Sequence, residues 1–116
     1  MIYTSFYGNK NIPSSMTKVS ISRYPPTSWK GAILKELAPS EQLFYNLRHK
    51  IITPSQFCDL FIQEINTPTF MSLLQALMDY PSDIVLLCYE KPTQFCHRQL
   101  ISKLAKQYNI IIKELD

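Results

Sequence analysis

A short stretch near the C-terminal end of the chain holds side chains that can do chemistry, namely Cys88, Glu90, Cys96, His97 and Arg98. A thiolate is a nucleophile, and a helix N-terminus or a neighbouring cation lowers the pKa of its thiol. The sequence therefore predicts Cys96 or Cys88 as a nucleophile or redox-sensitive thiol, with Glu90 or His97 as the proton carrier. The alternative is that the cysteines pack in the interior and the charged groups are solvated.

A negatively charged ligand is the second prediction from this stretch. An arginine in the first turn of a helix opposes the helix dipole, so Arg98 requires a negative partner, either Glu90 in a structural ion pair or a bound anion. Cationic and aromatic residues that follow an earlier predicted strand suit a lid over an anionic or ring-shaped ligand. The residues predicted to bind this ligand are Arg98, Arg23, Ser22, Lys30, Trp29 and Lys91.

Neither a metal ion nor an organic cofactor is predicted. The candidate metal ligands are Cys88, Cys96 and His97, and they include no Cys-x-x-Cys pair of the kind that binds zinc. Cys96 and His97 are adjacent on the predicted helix, so their side chains point in different directions. The loop between Cys88 and Arg98 also lacks the glycine and the short cysteine-to-arginine interval of thiol phosphatase and rhodanese loops. The sequence therefore argues against a metal site and against a thiol phosphatase or rhodanese loop.

The elements that position these residues follow from the apolar pattern. Residues 84–87 form an unbroken apolar run, which is typical of a central strand of a parallel sheet. The polar loop that follows leads into a helix whose apolar positions share one stripe. Cys96, His97 and Arg98 fall in the first turn of this helix, where unpaired N–H groups favour anions and thiolates.

The remaining segments complete an α/β fold. The order of elements predicts a single α/β domain over residues 1–116, with a mainly parallel sheet of about four strands and helices on both faces. Right-handed crossovers would bring the C-terminal ends of the strands to one edge, where ligands bind in open α/β sheets. The other strands are predicted at residues 2–7, 19–22 and 110–115, and the other helices at residues 41–49, 54–65 and 68–80.

Two connections are unusual for this fold. If the first two strands are parallel, the segment between them, about ten residues long, is at the short limit for a crossover. Residues 23–40 form a long segment with several prolines and no clear period, which is either an irregular packed connection or a loop used for binding.

Composition narrows the class of protein. The chain has 116 residues, 46% hydrophobic content and a net charge of +3, enough apolar material for one core and too little charge to demand nucleic acid as a partner. It contains neither a run of about 20 apolar residues nor a signal-peptide pattern, so a cytoplasmic protein without membrane contact is expected. The odd number of cysteines is then expected to be thiols, with Cys58 buried and inert.

The stretch from residue 86 to residue 98, Leu-Leu-Cys-Tyr-Glu-Lys-Pro-Thr-Gln-Phe-Cys-His-Arg, closely resembles the signature of the domain of unknown function 488 family, a group of small, mostly prokaryotic and phage proteins. The resemblance extends to residues 3–5, 19–23 and 37–40. It implies a shared polar site at the strand ends but no established reaction. The positions that carry over are Ser22, Arg23, Cys88, Glu90, Cys96, His97 and Arg98.

The sequence therefore supports two functional hypotheses. The first is a small enzyme that binds a phosphate-bearing ligand, a nucleotide or nucleic acid, at the C-terminal edge of the sheet. The alternative is a non-catalytic phage or bacterial regulator that binds a nucleotide, nucleic acid or a host protein. The sequence does not determine the substrate, the reactive cysteine or the oligomeric state.

Overall fold

A computed structural model of the chain describes residues 1–90 and 97–115. Parallel strands form one sheet in the order β3-β2-β4-β1-β5. The strands are β1 (Ile2–Phe6), β2 (Thr17–Ser20), β3 (Ala32–Ile33), β4 (Ile84–Cys88) and β5 (Ile112–Glu114). The helices are α1 (Glu41–Arg48), α2 (Pro54–Ile65), α3 (Pro68–Met78) and α4 (His97–Gln107).

The apolar run predicted as a central strand is β4, and every one of its residues is buried. It pairs with β1 on one side and β2 on the other, with Phe6 opposite Cys88 and Ser20 opposite Leu87. Because the three strands are parallel and in register, their C-terminal ends meet at one edge of the sheet. The chain segments after these ends carry the predicted site residues.

Sequence signals mark the starts of α1, α2 and α3, although the Thr67 side chain makes no capping hydrogen bond at α3. The side chain of Ser40 accepts a hydrogen bond from the Leu43 amide and begins α1. Thr53 and Gln56 form a reciprocal capping box at α2, and proline occupies the first turn of both α2 and α3. These local signals explain why the helix starts follow closely from the sequence.

The helices of the described chain gather on one face of the sheet, whereas the sequence predicts helices on both faces. Apolar residues of all four pack in one cluster with alternate residues of β4, Ile84, Leu86 and Cys88. Val85 and Leu87 point to the opposite face and are buried outside that cluster. Loop residues cover Leu87 there, including Ile12 and Trp29.

The strand order explains this arrangement. The connections β1 to β2 and β2 to β3 run towards one edge, and the connections β3 to β4 and β4 to β5 run towards the other. Right-handed crossovers that run in opposite directions lie on opposite faces of a sheet. The first two connections contain no helix, so all described helices lie on the face crossed by the other two.

The short crossover between β1 and β2 does connect parallel strands. Its buried Asn9 donates from Nδ2 to the Ser5 hydroxyl at 2.9 Å and accepts from the Asn11 amide at 2.8 Å. These bonds fold the loop back tightly on the end of β1, and an asparagine side chain is well suited to such turns. The class of fold and the parallel sheet are thus confirmed, with five strands.

Some boundaries differ from the prediction. The second strand lies two residues earlier than predicted, at Thr17–Ser20, and the last strand is limited to Ile112–Glu114. The edge strand β3 and a 3₁₀ turn at Lys35–Leu37 lie in the segment predicted as irregular. β3 is short and exposed, so it has little apolar pattern from which it could be predicted. In the described ranges, no helix is long and apolar enough to cross a membrane.

Candidate functional site

A cavity of about 360 Å³ lies at the C-terminal ends of β2 and β4, and we call it the strand-end cavity. The segments that follow these two strands form one side of it, and α1 with the residue before its cap forms the other. The lining residues are Ser22, Arg23, Tyr24, Pro39, Phe44, Arg48, Tyr89, Glu90 and His97. Four of the predicted site residues are thus brought together: Ser22, Arg23, Glu90 and His97.

Two arginines supply positive charge to this cavity. The guanidinium of Arg23 is held by a hydrogen bond from Nε to the Pro39 carbonyl oxygen, at 3.0 Å. Arg48, in the last turn of α1, lies over the Phe44 ring with its guanidinium carbon 5.9 Å from the ring centroid. Arginine presents a planar fork of donors that matches phosphate and carboxylate groups.

Aromatic rings form much of the remaining wall. Tyr24 packs edge-on against Phe44 with centroids 5.6 Å apart, and the Tyr89 hydroxyl donates to the Tyr24 carbonyl oxygen at 2.6 Å. Partial burial, together with nearby Tyr7 and Glu90, raises the pKa of Tyr89, so its hydroxyl stays protonated as this bond requires. The segments after β2 and β4 are therefore joined to each other in the wall of the cavity.

Tyr7, at the end of β1, supports this wall from beneath. Its hydroxyl hydrogen-bonds to the Ser20 and Ser22 hydroxyls at 2.6 and 2.9 Å. Its ring packs edge-on against Tyr89, with centroids 4.9 Å apart. A single tyrosine thus ties the end of β1 to the segments after β2 and β4.

His97 reaches the cavity from the start of α4. One ring nitrogen, Nε2, lies 2.7 Å from the Ile21 carbonyl oxygen, and because a carbonyl only accepts, Nε2 carries the hydrogen. Burial, and to a lesser degree the neighbouring Arg98, lowers the pKa of His97 to about 4, although the bond to Ile21 opposes this shift. His97 is therefore neutral at physiological pH.

Arg98 has a different environment from the other two arginines, because none of its surface is exposed. It forms a two-pronged ion pair with Glu114 of β5, through Nε at 3.0 Å and Nη2 at 2.9 Å. Its Nη1 donates to the Glu90 carbonyl oxygen at 2.6 Å and to Cys88 Sγ at 2.9 Å. The Thr4 hydroxyl completes the network by donating to Glu114 at 2.7 Å.

The sequence offers Glu90 or a bound anion as the negative partner of Arg98, and the structure shows a third group in that role. Its carboxylate partner is Glu114, and its contact with Glu90 is to the backbone. The guanidinium thereby fixes the turn that carries Tyr89 and Glu90 into the cavity. The prediction that Arg98 itself binds a ligand stays untested, but in this structure no surface of the side chain is available to one.

The remaining predicted site residues lie elsewhere. Cys88 is 1% exposed and is disulfide-bonded, so the expectation of a thiol is wrong for it in this state. Cys58 is a free cysteine and only half-buried. Cys96 and Lys91 lie outside the described residues.

Trp29 and Lys30 do not face the strand-end cavity. They line a separate cavity of about 290 Å³ on the loop-covered face of the sheet, together with Lys18 and Tyr7. The Trp29 indole donates to the Ala32 carbonyl oxygen at 3.1 Å and packs edge-on against Tyr7. Tyr7 therefore separates these two residues from the site that the sequence assigns to them.

Sequence reasoning missed the contribution of α1. Phe44 and Arg48 are four residues apart and so share a helix face, a spacing that was available as a signal. The apolar residues Leu43, Phe44 and Leu47 lie on the same side of α1, but only Leu43 of the three is buried, which leaves Phe44 available to the cavity. In residues 1–90 and 97–115, no group of histidine, cysteine and acidic residues could hold a metal ion.

Comparison with known proteins identifies the family to which the chain belongs. A family model described as DUF488-N3a, the active DUF488-N3 subclade, matches residues 2–109. The chain belongs to the DUF488 family. No curated protein and no solved structure matches it. The DUF488 assignment covers nearly the whole chain and identifies no ligand or reaction, so the function has to be argued from the cavity.

Proposed function

We propose that this DUF488 protein is an enzyme that binds a phosphate-bearing ligand, a nucleotide or nucleic acid, in the strand-end cavity. The observation that carries the proposal is the presence of Arg23 and Arg48 in one cavity with the rings of Tyr24, Phe44 and Tyr89. Arginines suit the phosphate, and aromatic faces suit the base. The cavity volume of about 360 Å³ is also within the range of small-ligand sites.

Glu90 is the residue that we assign to proton transfer. It lines the cavity beside the cations, and Arg98 holds its backbone in place. A carboxylate that lines the cavity from a backbone held in this way can accept a proton from water or from a hydroxyl of the bound ligand. His97 is less suited to that role because its Nε2 hydrogen is engaged by Ile21.

The thiol chemistry predicted from the sequence has less support. Cys88 is buried and disulfide-bonded, so in this state it cannot act as a thiolate. A nucleophilic role for Cys96 stays a prediction, since that residue lies outside the described ranges. Glu90 therefore carries the catalytic proposal.

The second candidate is a non-catalytic regulator that binds the same kind of ligand. The observation in its favour is that His97 and Arg98, two of the predicted functional groups, make hydrogen bonds to other parts of the protein. In this case, His97 and Arg98 shape the cavity without taking part in a reaction. Ligand recognition is the same in both candidates.

Isothermal titration calorimetry with the four nucleoside 5′-monophosphates tests the shared part of both candidates. We expect Arg48→Ala to weaken binding by at least about tenfold, because a charge-assisted hydrogen bond contributes roughly 1.5–3 kcal/mol. Lys113→Ala removes the same charge from the exposed edge strand β5 and should leave binding unchanged. No heat of binding with any of the four, or equal losses in both variants, contradicts the proposal.

Glu90→Gln separates the enzyme from the regulator. The amide has nearly the same shape as the carboxylate but cannot accept the proton, so binding should persist. Product formation from the bound nucleotide, followed by chromatography, should then be lost. Binding without product formation by the unaltered protein favours the regulator, and undiminished product formation by Glu90→Gln contradicts the assigned role.

A further inference from the structure

A second, larger cavity adjoins the strand-end cavity along α1. Its volume is about 620 Å³, and we call it the outer cavity. Three residues, Tyr24, Phe44 and Arg48, line both cavities, so the two adjoin, and we call them together the groove. The residues that line only the outer cavity are Glu41, Gln42, Tyr45 and His49.

The outer cavity repeats the chemistry of the strand-end cavity. Tyr45 and His49 form a tilted ring pair with centroids 4.1 Å apart, and the Tyr45 side chain remains 50% exposed. Tyr24, at the junction, is 55% exposed. Exposed rings of this kind are platforms on which a nucleic-acid base can stack.

The positions of the charges define how a ligand could lie in the groove. Arg48 belongs to both cavities, so it can contact a phosphate that joins a group in one cavity to a group in the other. Glu41 and Gln42 line the outer cavity, where a carboxylate disfavours another phosphate. A carboxylate and an amide do suit the amino and ring N–H groups of a base.

We propose that the ligand is a single-stranded nucleic acid rather than a mononucleotide. One nucleotide occupies the strand-end cavity, the adjoining base lies against Tyr45 and His49, and the phosphate between them contacts Arg48. This inference rests on the proposed function, because it extends the same phosphate-binding site. Each cavity has a volume within the roughly 300–1,000 Å³ typical of a small-ligand site.

Other occupants fit the groove less well. An acidic peptide would gain from Arg23 and Arg48 but would meet the Glu41 carboxylate and would leave the exposed rings without partners. A nucleic-acid duplex keeps its bases stacked and paired, so the rings could not reach base faces. Unpaired bases joined by a phosphate match the groove in both respects.

The test is a length series of 5′-phosphorylated single-stranded oligonucleotides, from mononucleotide to tetranucleotide. Affinity is measured by competition with a fluorescent oligonucleotide in an anisotropy assay. We expect the step from mononucleotide to dinucleotide to raise affinity about tenfold or more, the effect of one additional stacked base. A duplex of the same sequence and an oligoglutamate of similar charge should bind more weakly than the single strand.

Tyr45→Ala should remove most of the gain from mononucleotide to dinucleotide. Tyr80→Ala is the matched control, because Tyr80 is equally exposed, at 51%, but lines neither cavity. The control should keep the full gain. Circular dichroism of both variants checks that the fold is retained, and Tyr45→Phe should restore the gain because it keeps the ring.

The outcomes separate this inference from the proposed function. If mononucleotides bind and affinity does not rise with length, the strand-end site stands and the inference is overturned. A gain that survives in Tyr45→Ala, or a duplex or oligoglutamate that binds as well as the single strand, also overturns it. If no nucleotide of any length binds, the proposed function fails together with the inference.

Discussion

The chain has three arginines, and two regions of the same sheet edge use them in opposite ways. Arg98 lies between β4 and β5 with no exposed surface, and its donors are engaged by Glu114, Cys88 and the Glu90 backbone. Arg23 and Arg48 lie on the β2 side, along the wall of an open cavity. The first environment holds the protein together, and the second is accessible to a ligand.

The difference follows from the cost of burying charge. A guanidinium removed from water must satisfy its charge and its hydrogen bonds within the protein, and Arg98 does so. Arg23 and Arg48 line a cavity open to solvent, so they need not be paired in the same way. A cation that lines a cavity is therefore a better candidate for ligand binding than a cation that is fully paired within the protein. This holds even when the sequence around the cavity-lining cation is less distinctive.

Arg98→Ala should give the largest effect on stability. It removes a fully buried guanidinium, leaves its partly exposed partner Glu114 unpaired and leaves the Glu90 carbonyl oxygen without its donor, so we expect a loss of about 2–3 kcal/mol. Urea denaturation followed by circular dichroism measures it. Lys113→Ala, an exposed cation on β5, should change stability by no more than about 0.5 kcal/mol. Equal effects of both changes would show that the Arg98 network contributes little.

His97 should make the protein less stable in mild acid. Its pKa is lowered to about 4 in the folded state, against about 6.5 in an unfolded chain. Between these values the unfolded state binds more protons, so stability falls as pH decreases through this window. From about pH 7 to about pH 5 the expected loss is roughly 2 kcal/mol.

This pH dependence is measured by urea denaturation at the two pH values. His97→Gln keeps a donor that can reach the Ile21 carbonyl oxygen but does not titrate, so it should lose most of the difference. His49→Gln, at the exposed ring pair with Tyr45, should behave like the unaltered protein. A difference that persists in His97→Gln and disappears in His49→Gln contradicts the assignment.

Arg48→Ala should change stability by less than about 1 kcal/mol, since its contact with Phe44 is a partly exposed cation–π pair. The same variant should lose nucleotide affinity, whereas Arg98→Ala should lose mainly stability and Lys113→Ala should lose neither. Parallel denaturation and calorimetry on the three proteins measure both quantities. A large loss of stability in Arg48→Ala would show that Arg48, like Arg98, stabilises the fold. That result would contradict the contrast between the two regions.

Tyr89→Phe should have a small effect on both stability and nucleotide affinity, because it removes one hydroxyl and keeps the ring. It removes the hydrogen bond to the Tyr24 carbonyl oxygen and should reduce stability by about 0.5–1 kcal/mol. Nucleotide affinity should fall by a smaller factor than in Arg48→Ala, because the ring remains. An affinity loss as large as that of Arg48→Ala would show that the Tyr89 hydroxyl binds the ligand directly.

Local signals made much of the fold predictable from sequence. The apolar run of β4 and the capping residues Ser40 and Thr53 depend on neighbouring residues alone, so they predict elements close to those observed. β3 has two residues and pairs only with β2, so it depends on contacts that are distant in sequence. The one-sided arrangement of the helices depends on strand order, which the sequence does not determine.

The candidate site was predictable in part for the same reason. Ser22, Arg23 and Glu90 lie within three residues of the ends of β2 and β4, and His97 begins the helix that follows β4, so strand direction brings them to the same edge. Arg48 reaches the cavity only because α1 packs beside Tyr24, and Glu114 pairs with Arg98 only because β5 lies next to β1. Partners of this kind come from tertiary packing, and no local pattern identifies them.

Labelling of the native protein with phenylglyoxal, which reacts with accessible guanidinium groups, tests the contrast most directly. Mass spectrometry can follow all three arginines, with and without adenosine 5′-monophosphate. We expect Arg23 and Arg48 to react and to be protected by the nucleotide but not by adenosine, while Arg98 does not react. Reaction and protection at Arg98, or equal labelling of Arg23 and Arg48 with and without nucleotide, would contradict the account.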